Sequence, residues 1–191
     1  MRSDTLISGQ RVIKNMVNPS RFEHPLIVQC VLFLIPVNIF VIGDWLAAGV
    51  QWIFFRYQQS FMGNSFIVFI KDLYFVQEGI IRGRSAVASE MAVAATFFMA
   101  LAVFLLFTAY QRKSGTWVKA AAIVSMGGGC LYLIVDMIQY GVFFHGPAGF
   151  VIPIGVPVIL VCGWWMYLMK FPDATILKSD ETELFDENET P

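Results

Sequence analysis

The stretch from Ala120 to Tyr140 places the tightest limit on how this chain can fold. It is an apolar run about as long as the roughly 20 residues a helix needs to cross a bilayer, and it contains one acid, Asp136. Ala121, Ser125 and Gly129 recur every four residues, so one face of the helix is small enough for a neighbour to approach closely. Tyr132, Asp136, Gln139 and Tyr140 fall at helical spacing and gather polar groups toward one end.

The remaining chain reinforces an apolar reading. Of 191 residues, 57% are hydrophobic and 14% charged, and the mean hydropathy is +0.65, which sets the expectation of an all-α integral membrane protein. Cys30, Cys130 and Cys162 form no CxxC pair, so neither a disulfide framework nor a haem attachment is expected. The N-terminal residues lack the short apolar core of a secretory signal.

Taken in order, residues 1–25 form a basic segment expected on the cytoplasmic side. Residues 26–170 form a single polytopic domain and residues 171–191 an acidic cytoplasmic tail. Residues 26–43 are uncharged and long enough for a short span, which Pro36 should kink and Asn38 compensate. Residues 86–109, 120–140 and 150–169 supply three more spans, the last disturbed by Pro153 and Pro157. Between the first two spans, residues 45–85 read as one or two interfacial or re-entrant helices. Phe66, Phe69, Leu73, Val76 and Ile80 mark an apolar face there, and Glu78 and Arg82 a favourable ion-pair spacing. The expected architecture is a four-transmembrane-helix bundle with both termini cytoplasmic. Five spans result if residues 66–82 also cross.

This topology collects polar groups near the outer surface. Asp44, Glu90, Tyr132, Asp136, Gln139, Tyr140 and His145 are the candidates for binding a ligand or cation, the carboxylates suiting a hard cation. An acid–base reaction would fall to Asp136 and His145, with Glu90 balancing charge. No motif names a cofactor, and none is expected. Gly127–Gly129 lacks the context of a phosphate loop. The functional expectation is a small membrane subunit or scaffold that contacts lipids and either another integral membrane protein or a second copy of itself, and no nucleic acid. A permeation component for a small solute or cation and a lipid-modifying enzyme are the alternatives.

Overall fold

The computed structural model describes residues 20–43 and 45–171. The elements run α1 (Ser20–Leu32), β1 (Asn38–Ile42), β2 (Ala47–Gln51), β3 (Phe55–Ser60), β4 (Gly63–Val68), α2 (Phe69–Gln77), α3 (Arg84–Arg112), α4 (Gly115–Tyr140), β5 (His145–Gly146), β6 (Gly149–Ile152) and α5 (Gly155–Leu168). The six strands form one antiparallel sheet in the order β4-β3-β2-β1-β6-β5.

The prolines explain where helix gives way to strand. After Leu32 the backbone tightens into i→i−3 hydrogen bonds from Phe33, Leu34 and Ile35. Pro36 then has no amide to continue the ladder. The β-branched run Asn38–Ile42 that follows pairs with β2 on one side and β6 on the other. Pro153 likewise ends β6. Pro157 sits in the first turn of α5, where a missing amide costs no intrahelical bond.

These transitions overturn the all-α, four-span bundle. The runs 26–43 and 150–169 are each part helix and part strand, which leaves α1 and α5 with 13 and 14 residues, short of the length a crossing requires. The interval 45–85 is three strands and the nine-residue α2 in place of interfacial or re-entrant helices. Among the described residues, two helices, α3 and α4, are long and apolar enough to cross a membrane by length and composition. The multi-pass cell-membrane placement and both cytoplasmic termini depended on four helical spans and are withdrawn with them. The same holds for the lipid, membrane-protein and self-association partners, and for the scaffold, permeation and lipid-modifying readings. In their place stands a mixed α/β domain with an ordered sheet, a buried ion pair and a buried hydrogen-bond network.

α3 and α4 form the main helical seam. On α3 the buried positions are Ala88, Ala92, Ala95, Met99, Ala102, Leu106 and Ala109. This alternation of three and four keeps one face toward a partner. The α4 glycines divide their contacts: a Cβ on Gly128 would meet Met99 of α3, and one on Gly129 would meet Ile159 and Leu160 of α5. Outside the seam, Phe97, Phe104 and Ile123 remain 74%, 64% and 55% exposed, so the apolar length of these helices exceeds what this core uses.

Glu78 and Arg82 do not meet as an ion pair. α2 ends at Gln77, Gly79 takes a positive φ, and Arg82 Nε donates to the Gly79 carbonyl.

Candidate functional site

The sheet has a polar inner region because β3 alternates. In Phe55–Ser60, Arg56 and Gln58 share one face, while Tyr57 and Gln59 take the other and are exposed. Arg56 Nη2 donates to Asp72 Oδ1 of α2 at 2.8 Å, with the two side chains 19% and 3% exposed. Burial raises the Asp72 carboxyl above its ordinary range, and the Arg56 charge opposes that shift. Arg56 Nε is buried without a partner among the described residues.

Arg56 forms part of the wall of a cavity of about 310 Å³, lined also by Gln58, Ser85, Ser89, Gln139 and the β1 end at Ile42 and Gly43. Ser85 and Ser89 belong to the first turns of α3, whose N-cap is Gly83 with no side-chain cap. The first residue of α3 is Arg84, and no acid occupies the first turn. The positive helix end therefore lacks the side-chain acceptor that usually satisfies it. Among the described residues, Arg56 is the one formally charged residue in the cavity wall.

Behind this cavity the C-terminal half of α4 presents Tyr132, Asp136 and Tyr140 at intervals of four, all buried. Tyr132 is fixed by the β2–β3 turn: its hydroxyl donates to the Ile53 carbonyl at 3.1 Å and lies 2.8 Å from Thr96 Oγ1. Thr96 Oγ1 approaches the same carbonyl at 2.7 Å. Tyr132→Phe should cost about 1 kcal/mol, the usual net value of a buried hydrogen bond, measured as the shift in urea midpoint. An unchanged midpoint would show that Thr96 alone satisfies the Ile53 carbonyl.

Asp136 accepts a hydrogen bond from Asn38 Nδ2 of β1 at 2.8 Å, and each residue is 2% exposed. Asp136 Oδ2 and Asn38 Oδ1 have no partner among the described residues. Burial pushes the Asp136 carboxyl up to about 7, against the lowering effect of the Asn38 hydrogen bond. Burial and the neighbouring Asp136 charge also raise the phenols of Tyr132 and Tyr140. The Thr96 hydrogen bond opposes this at Tyr132, and Arg56 opposes it at Tyr140.

The residues anticipated from sequence are therefore dispersed. Tyr132, Asp136 and Tyr140 share a buried stripe, and Gln139 reaches the cavity. Glu90 on α3 and His145 on β5 are exposed, and Asp44 lies outside the described residues. Among the described residues no group of three or more His, Cys, Asp or Glu side chains is positioned to hold a metal ion. Arg56, Asp72, Gln58, Ser85 and Ser89 escaped sequence reasoning. The available signal was the period-two pattern of Phe55-Arg56-Tyr57-Gln58, which puts Arg56 and Gln58 side by side in a strand. No protein-family model matches the chain, and no curated protein matches its sequence.

Proposed function

We propose that the chain is a binding module for a small anion, carboxylate-like in charge and size, held in the cavity between β3 and the start of α3. The observation that carries this reading is Arg56, a cavity-wall cation whose Nη2 is tied to Asp72 while its Nε is buried without a partner. An anionic oxygen supplies the missing acceptor, and charge-assisted hydrogen bonds of this kind are the stronger ones. The uncapped α3 terminus favours the same sign of charge. Ser85, Ser89, Gln58 and Gln139 add neutral donors and acceptors suited to orienting a ligand. The volume sits at the small end of ligand pockets, which selects compact metabolites.

Titration calorimetry with acetate, methanesulfonate and inorganic phosphate tests the reading. The double variant Arg56→Gln/Asp72→Asn removes both partners of the buried pair and avoids an orphaned carboxylate. It should weaken binding of the best probe by at least about tenfold, in line with loss of a charge-assisted bond. Equal affinity in wild type and variant, or no binding of any probe, would overturn the assignment.

A further inference from the structure

β1 and α4, which both contribute to the cavity wall, are joined by a buried polar contact. β1 carries Asn38 and, four residues on, the cavity-lining Ile42. α4 carries Asp136 and, three residues on, the cavity-lining Gln139. The Asn38–Asp136 hydrogen bond spans 98 residues of sequence. A buried amide facing a buried carboxyl tolerates little sliding, because each group is the other's hydrogen-bond partner.

The contact is incomplete as an ionised pair. Asn38 Nδ2 donates to Asp136 Oδ1, which leaves two acceptor oxygens, Asn38 Oδ1 and Asp136 Oδ2, with no donor. Turning the Asn38 amide over does not help, since it would set oxygen against oxygen. A proton on Asp136 supplies the single donor that the pair lacks and removes the uncompensated charge. We propose that Asp136 and Asn38 form a proton-operated latch that sets the spacing of β1 and α4 and so regulates the anion cavity. Its closed form has Asp136 protonated and the cavity walls held together. Loss of the proton leaves a buried carboxylate beside an unpaired amide oxygen, and the walls separate to admit water.

The surroundings leave this proton dominant. Tyr132 and Tyr140 flank Asp136 on α4, and both stay neutral through the neutral range because burial raises their phenols. β3 contributes Arg56, already paired with Asp72 of α2. β1 and β6 carry no ionisable side chain over their described lengths. On α5 the ionisable side chains are Cys162 and Tyr167, in its second half. Glu90 on α3 is exposed, as is His145 on β5. His145 is close in sequence to cavity-lining Pro147 and Ala148, so it is the competing source of any pH effect.

The proposal rests on the anion-binding reading and can fail separately from it. Methanesulfonate keeps its charge across the neutral range, which makes it the probe of choice. Wild-type protein should bind it roughly tenfold more tightly at about pH 6 than at about pH 8, a coupling of ordinary size for linked sites. Asp136→Asn carries a permanent amide donor in place of the proton. It should bind at both pH values with the affinity that wild type shows at the lower one, and His145→Gln should retain the wild-type dependence. A dependence lost in His145→Gln and kept in Asp136→Asn would overturn the latch while leaving the anion site standing. So would an affinity that does not change with pH in wild type. Absence of binding at every pH would remove both.

Discussion

Asp136→Asn should make the protein more stable at about pH 8 and nearly remove its pH dependence in the neutral range. The wild-type carboxyl is raised from 3.8 to about 7 by burial, so the folded chain holds this proton more tightly than the unfolded chain does. Stability from this group is whole below the unfolded value, declines as pH rises from about 4 to about 7, and is then level. A displacement of roughly three units corresponds to about 4 kcal/mol at most. The Asn replacement keeps an acceptor for Asn38 Nδ2 and adds a donor for Asn38 Oδ1, so both amides are satisfied without a proton. Asp136→Ala acts differently. It leaves both polar atoms of Asn38 buried and unpaired and should cost about 2–4 kcal/mol at about pH 6. Urea unfolding across this pH range separates the cases. A wild-type slope that persists in Asp136→Asn would assign the pH dependence to another group.

The second large effect comes from a pair of glycines with nearly the same φ. Gly149 has φ +121° and Gly63 has φ +120°, a region that side chains rarely adopt. A Cβ at Gly63 would meet nothing within 4 Å, whereas one at Gly149 would run into the Val41 carbonyl. Gly149 also pairs with Ile42 in the β1–β6 ladder. Gly63→Ala should therefore show conformational strain alone, about 1 kcal/mol, and Gly149→Ala should lose at least about 3 kcal/mol as β6 is forced from β1. Thermal unfolding of both variants reads this difference. Equal losses would mean that β6 does not lie against β1 as described, and the order of the sheet would need revision.

The helical seam was legible in the sequence because its signal is long. Residues 86–109 and 120–140 were expected to be helical, and the helices run Arg84–Arg112 and Gly115–Tyr140. The Ala121, Ser125 and Gly129 face was legible for the same reason, and all three are buried. The sheet was not, because an uncharged apolar run carries no periodicity that separates a helix from a buried strand. Pro36 suggests a kink in a span, but the helix ends at Leu32 and Pro36 lies in the link to β1, whose β-branched Ile39, Val41 and Ile42 are the sign of strand. The helical period of Phe66–Ile80 belongs to α2 over Phe69–Gln77, and the period of two lies just upstream in Phe55–Gln59. The Gly63 turn that closes the β3–β4 hairpin was missed with it.

The candidate site was half visible on the same terms. Asp136 stands out in any apolar helix, and the spacing of Tyr132 and Tyr140 puts them on its side. Asn38 was noted only as a compensating group near Pro36, and its 2.8 Å contact with Asp136 depends on a sheet that periodicity did not reveal. Arg56 and Asp72 are separated by a hairpin, so no helical spacing connects them. Glu90 and His145 were drawn into the site by assumed depth in four spans, and both are exposed.

The Asp136 carboxyl is enclosed between the first strand and the fourth helix. Its most direct measurement is carbon-13 NMR of aspartate-labelled protein, with the Asp136 carboxyl assigned by its loss in Asp136→Asn and followed as pH is raised. The enclosed pair predicts a single titration centred at about 7. A midpoint near the ordinary 3.8 would place Asp136 in contact with water and contradict the joining of β1 to α4.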